Sequence, residues 1–364
     1  MQLGVNPMIE AAEFSVPVAP DAALFGTLAD ARRLIRADQL PAALDGGNVN
    51  VVVIDAGIDQ SMIPPPGKFG GWWLPMPGGP GPPPPPPGMT TGLAARHGTM
   101  VVNNILAMAP KATIFDVPLI RPPKIGDIPP FLALADATYR RILRNIFWFR
   151  RFKCFTGPWI FMNAWTIYDR RSEVPFLGEY TENLGANGIT PHPFNKLIEK
   201  VSRKNFDIVF CAGNCGRICP DGRCGANDYG PGRSIWGANA HRNVLSVGAV
   251  RVDGIWLGYS SEGPGPLKLD QYKPDLCAPS QFEGTQGEYP SNTGTSAAAA
   301  ISAGIIAALR SRPNWNQTAV SPTALKQILN ATATKTQGAG WNQTIGNGIL
   351  NANAAAAELS AQFP

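Results

Sequence analysis

Five apolar runs alternate with segments of helical period along this chain, and that alternation constrains the fold more than any other feature. The runs are NVNVVVIDAG (48–57), KATIFDVPLI (111–120), GPWIFMNAW (157–165), FDIVFCAGN (206–214) and NVLSVGAV (243–250). Each is short, rich in β-branched or aromatic residues and closed by turn residues, so each reads as a buried strand. Helices are expected over 99–110, 130–148, 194–205, 296–311 and 323–334. Strands apolar on both faces and interleaved with helices imply an α/β fold. A three-layer arrangement follows, with a mostly parallel central sheet and helices on both faces. In such sheets, sites form beyond the carboxyl ends of the strands. IDAG, FMNAW and CAGN all lie at strand ends and are the first places to look.

Apolar residues make up 44% of the 364 residues and charged residues 16%, enough for a large core. The net charge of +5 is too small to mark a nucleic-acid binder. No apolar run approaches the ~18 residues of a membrane span. The first residues, MQLGVNPMIEAAEF, carry acidic groups and lack the apolar stretch of a secretory signal, so the expected location is cytoplasmic. Twelve prolines fall between Pro64 and Pro87, six of them consecutive from Pro82. Residues 61–92 are therefore expected to be extended or disordered, an insertion between core elements that could dock a partner with an aromatic groove. The basic stretch 139–153 suits a sheet-packing helix with a cationic outer face, whose apolar side is Tyr139, Ile142, Leu143, Ile146 and Phe147.

Only three histidines are present, which narrows the search for a general base. His192 stands between prolines and His241 in a polar turn, whereas His97 opens a predicted helix beside Gly98. Asp55 ends the first strand, where a carboxylate can orient an imidazole. Ser296 begins the long small-residue helix, where free N–H groups and the helix dipole favour an oxyanion. Asn214 follows a strand between glycines and could aim an amide N–H at a carbonyl oxygen. Taken singly, each has a plainer reading: a turn aspartate, a capping histidine, an N-cap serine, a turn asparagine. Of the six cysteines, Cys211 and Cys277 lie in apolar runs and read as buried thiols. Cys215, Cys219 and Cys224 share one loop, where two of them could pair or all three could hold a metal.

Together the four motifs resemble those of the subtilases. VVVIDAGID is similar to that family's aspartate motif, HGTMVVNNILAMAPKATI to its histidine motif, FCAGNCG to its oxyanion motif and TGTSAAAAISAG to its serine motif. The order Asp55, His97, Ser296 is the subtilisin order. YSSEGP (259–264), KPDLCAP (273–279) and GNGILNANAA (346–355) extend the resemblance over about 30–358. The resemblance implies a serine endopeptidase acting on protein or peptide substrates. Ser296 would be nucleophile, His97 base, Asp55 its orienting carboxylate and Asn214 the oxyanion donor. Ala164, Trp165, Thr166 and Gly213 would bind substrate.

No cofactor is required on this reading. Calcium is common in the family, but no acidic cluster here can be assigned to it. Residues 1–29 would be an extension in which Phe14–Val18 blocks the cleft, 30–358 the peptidase domain and 359–364 a tail. Three positions depart from the pattern. Ala297 and Ala300 replace the usual Met and Pro after the nucleophile, and Thr166 stands where glycine normally leaves room for a substrate side chain. The competing reading is a catalytically silent relative that binds peptides or a partner.

Overall fold

The computed structural model describes residues 24–72, 93–119, 131–170, 180, 192–284, 291–336, 338 and 340–364. The proposed blocking segment Phe14–Val18 and the proline-rich run 73–92 lie outside these residues. Seven parallel strands form one sheet in the order β2-β3-β1-β4-β5-β6-β7. They are β1 (Asn50–Asp55), β2 (Lys68–Trp72), β3 (Thr113–Pro118), β4 (Trp159–Asn163), β5 (Asp207–Cys211), β6 (Leu245–Val250) and β7 (Leu276–Pro279). β1 pairs with β3 on one side and β4 on the other. The strand order therefore reverses at β1, and a crevice opens beyond its carboxyl end.

Alternation along the strands builds two separate cores. Val51 and Val53 face one layer, while Val52 and Ile54 face the other. The first layer holds α1 (Leu28–Leu34), α2 (Leu93–Met108), α5 (Gly294–Arg310), α6 (Pro322–Thr332) and α7 (Ala352–Gln362). The second holds α3 (Phe131–Arg151) and α4 (Pro193–Ser202) and is largely aromatic. A short antiparallel pair, β8 (Phe282–Glu283) and β9 (Ser291–Asn292), precedes α5. Every residue of α5 is buried, so its small side chains let it lie against the sheet and α2 at once.

Three expectations need correction. Residues 68–72, expected to be extended polyproline or disordered, form instead the hydrogen-bonded edge strand β2 against β3. A Cβ at Gly70 would stand 2.5 Å from the Phe115 ring, so glycine is what lets this strand close on its neighbour. Helix α2 begins at Leu93 and not at Thr99, which puts His97 in its second turn. Phe147 is 63% exposed. The buried stripe of α3 runs through Tyr139, Ile142, Ile146 and Phe149, and Phe149 stacks on Trp159 at 5.8 Å. The outer face is basic as expected, since Arg140, Arg144 and Arg150 are all exposed.

His192 and His241 serve the fold. His192 caps α4, its Nδ1 accepting from Phe194 N at 3.2 Å, and His241 Nδ1 accepts from Asn243 N at 3.2 Å. Both bonds need a neutral ring. Burial pulls the His192 pKa down to about 4 and is the main cause that pulls His241 to about 3, with nearby Lys273 adding to it. The unfolded chain thus binds more protons than the folded one below about pH 6.5, and stability falls with acid. Urea midpoints taken from pH 7.5 to 5 should drop, with about 1–2 kcal/mol lost per histidine by pH 5. The variants His192→Asn and His241→Asn, which keep a side-chain acceptor, should each flatten the profile.

Candidate active site

Four chain segments converge beyond the carboxyl ends of β1, β4 and β5. Asp55 is the last residue of β1 and fully buried. One carboxylate oxygen accepts from its own Ala56 N at 2.6 Å, which fixes the rotamer. His97 Nδ1 lies 2.8 Å from Asp55 Oδ1 and 3.0 Å from Oδ2. A carboxylate only accepts, so Nδ1 carries a proton toward Asp55, and in the neutral ring Nε2 is the nitrogen with the lone pair. The helix carrying His97 comes very close to the loop after β1. A Cβ at Gly98 would fall 2.1 Å from Gly57 O, so only glycine fits there. Thr99 Oγ1 accepts from Asp59 N at 2.9 Å and holds the same loop.

Ser296 is the third residue of α5. The turn before it needs the positive φ of Gly294 (72°) and is clamped on both sides. Tyr259 OH accepts from Gly294 N at 3.2 Å, and Ser280 Oγ donates to Gly294 O at 2.7 Å. The Ser296 hydroxyl donates to Ala164 O at 3.4 Å. Among the described residues that is its one hydrogen bond, so the hydroxyl does not bond the His97 ring. Such contacts often close only around a substrate.

Asn214 follows β5 on a turn through Gly213, whose φ is 104°. Its Oδ1 accepts from Thr295 N at 3.0 Å and Thr295 Oγ1 at 2.9 Å. A backbone N–H can only donate, so these bonds settle which amide atom is oxygen and turn Nδ2 outward. Nδ2 donates to Tyr168 OH at 3.3 Å. Thr295, directly before Ser296, thus orients the amide group. The sequence offered the Thr-Ser dipeptide, but no residue of this loop pointed to Tyr168.

The residues expected to bind substrate separate into two groups. Thr166 and Gly213 are neighbours, with Thr166 Cγ2 3.4 Å from where a Gly213 Cβ would stand. Ala164 reaches Ser296 through its carbonyl. The Trp165 ring points the other way, edge-on to Phe131 at 5.1 Å and to Phe210 at 5.2 Å in the aromatic core. Only the backbone of Trp165 is left for a cleft, because alternation along the extended segment sends its side chain through the sheet.

The cysteine loop resolves as a disulfide. Cys215 and Cys224 are bonded, and Cys219 is a free thiol. Pairing removes the thiolates that a metal would need, and no cluster of three metal-ligating side chains exists among the described residues. Cys211 and Cys277 are buried free thiols as expected, and burial raises the Cys211 pKa to about 12. The disulfide closes a loop directly behind Asn214, whose carbonyl accepts from Asp221 N at 2.9 Å.

The family model described as the Subtilase family matches residues 157–348, more than half the chain. The chain belongs to the subtilase family. No curated protein matches this sequence. Among solved structures, MycP1 with its N-terminal propeptide removed superposes with a TM-score of 0.54 at 20% identity, covering 90% of this chain and 96% of that one. MycP1 from Mycobacterium smegmatis gives 0.56 at 19% identity, over 93% of this chain and 86% of that one. The protease domain of PatA gives 0.57 at 20% identity, over 88% and 99% respectively. At these identities the likeness concerns the fold: a subtilisin-like sheet with helices around it.

The disulfide should matter to stability. Closing a loop with a sequence separation of 9 is worth about 2–3 kcal/mol on the chain-entropy scale. A Cys215→Ser/Cys224→Ser double variant should lose that amount in denaturant titration. A loss below about 0.5 kcal/mol would mean that the loop holds its shape without the bond.

Proposed function

We propose that this subtilase is an active serine endopeptidase with Asp55, His97 and Ser296 as triad and Asn214 as oxyanion donor. The observation that carries the reading is the pairing of His97 Nδ1 with the buried Asp55 carboxylate, on a helix that packs against the one bearing Ser296. On substrate binding the Ser296 hydroxyl turns from Ala164 O toward Nε2. Its Oγ attacks the scissile carbonyl carbon while Nε2 takes the proton, and Asp55 stabilises the imidazolium. The carbonyl oxygen, now negative, is held by Asn214 Nδ2 and by backbone N–H at the start of α5. Nε2 then returns the proton to the leaving amine as the C–N bond breaks. A water molecule, deprotonated by the same nitrogen, frees the acyl group from Ser296.

The Thr166 methyl beside Gly213 narrows the space for the substrate residue before the cleaved bond. Small residues such as Ala, Ser or Gly should be preferred there. An extended peptide would lie along the backbone of 164–166.

Cleavage of a fluorogenic peptide library tests both statements. The wild type should cleave after small residues, and Ser296→Ala should lose activity altogether. Asn214→Ala should lower kcat by about 10²–10³, as loss of such a donor does in subtilisin. Thr166→Gly should extend cleavage to large residues without changing the catalytic constant for small ones. No hydrolysis by wild type, or full activity in Ser296→Ala, would overturn the assignment.

A further inference from the structure

Tyr168 sits against the proposed oxyanion donor, and its hydrogen bonds leave one valence over. Its oxygen accepts from Asn214 Nδ2 at 3.3 Å and from Arg223 Nη2 at 3.0 Å. A phenol oxygen has two lone pairs and one proton. With both lone pairs committed to donors, the proton must be given to a third group, and no described residue accepts it. The Tyr168 side chain is almost fully buried, so bulk water is not the ready alternative.

The ring is held in place independently of its hydroxyl. The Arg223 guanidinium lies over it, 4.1 Å from the centroid, and is itself fixed by Asp221 through bonds of 2.8 Å and 2.6 Å. The Tyr168 carbonyl accepts from Gly225 N at 3.1 Å, next to the disulfide. Desolvation raises the phenol pKa well above its usual value, so the proton stays on at working pH.

We propose that the Tyr168 hydroxyl is a second side-chain donor to the oxyanion of the substrate, acting beside Asn214. This rests on the endopeptidase reading above. Asn214 Nδ2 carries two protons, one already given to Tyr168. The other, and the unassigned Tyr168 proton, are two donors within one hydrogen-bond length of each other. The two amide protons diverge by about 120°. An oxygen that becomes negative in front of this pair therefore draws the Nδ2–H off the Tyr168 oxygen and takes the Tyr168 proton beside it, the two donor atoms standing 3.3 Å apart. The bond from Arg223 polarises the O–H and strengthens it as a donor, while no proton is transferred and the tyrosine leaves the cycle unchanged.

The test is Tyr168→Phe, which keeps the ring under Arg223 and removes one oxygen. With the library's best peptide, kcat should fall about ten- to a hundred-fold while KM stays within about two-fold. Affinity for a peptide boronate, which forms a tetrahedral adduct on serine, should fall by a similar factor. Affinity for a non-cleavable peptide of the same sequence should hold. The ratio of those two affinities does not depend on how much of the variant is folded, so a less stable variant still discriminates. Unchanged kcat and boronate affinity would overturn the proposal. A rise in KM alone would make Tyr168 a pocket wall, and a gain in activity would make it a plug; either overturns it. A wild type that cleaves no peptide and binds no boronate would sink the endopeptidase reading as well. Cleavage by wild type with an indifferent Tyr168→Phe would sink only this one.

Discussion

The contact between α2 and α5 is what the rest of the structure depends on. These two helices carry His97 and Ser296, and no direct bond joins those side chains. Their relative position is therefore set by helix packing and by the polar ties around it. At the crossing, a Cβ on Gly304 would stand 2.7 Å from Ile105 O and 2.8 Å from Met108 Cβ. The backbones meet there without side chains between them, and packing at that distance fixes axial position as well as separation. Asn104 on α2 adds a polar tie, donating to Asn292 Oδ1 at 2.8 Å just before α5 begins. At the far end, buried Arg310 is held by Asp207 at the start of β5 through bonds of 2.9 Å and 2.7 Å. Helix α5 is thus fixed to its neighbour in the middle and to the sheet at its end.

The polar groups of the site follow one rule: each functional atom is freed by binding the other atom of the same side chain. Asp55 occupies Nδ1 of His97 and leaves Nε2. Thr295 occupies Oδ1 of Asn214 and turns Nδ2 outward, with one of its two protons on Tyr168. Tyr168 has its oxygen occupied and its proton left. The His97 ring, held by Asp55, is preorganised in this sense, whereas the Ser296 hydroxyl starts on Ala164 O. A second carboxyl, Asp116 on β3, is fully buried on the same face of the sheet as Asp55. It accepts from Ile58 N at 3.1 Å with one oxygen and, among the described residues, has no partner for the other. Burial, with the Asp55 charge as a lesser cause, pushes its pKa well above the usual carboxylate value, and its bond to Ile58 N holds the loop after β1.

The sheet is legible in the sequence because its central strands are buried on both faces and so read as unbroken apolar runs. Asp55 and Asn214 are legible for the same reason, as polar residues where such a run stops. Ser296 is legible only in company, since a helix N-terminus is an ordinary place for serine. What cannot be read depends on distant partners. Tyr168 gains its meaning from Asn214 and Arg223, both more than forty residues away. Strand β2 is hidden by glycine and proline, although its glycine is what allows it to meet Phe115. The neighbours of Trp165 place its side chain in the cleft, but the parity of an extended segment sends it into the core. Phe147 fits the apolar face of α3 by rough spacing but lies one residue off the stripe that Ile146 and Phe149 complete. Which two of three loop cysteines pair is likewise a matter of three-dimensional distance.

The central claim is that Asp55, His97 and Ser296, carried by three elements, act as one nucleophilic unit. Reaction with a fluorophosphonate, followed by mass spectrometry of the digested protein, tests it most directly. The account predicts a single phosphonyl adduct on Ser296 in the wild type, and its disappearance in His97→Ala although the serine is still present. An adduct on another serine, none on the wild type, or equal labelling without His97 would contradict it.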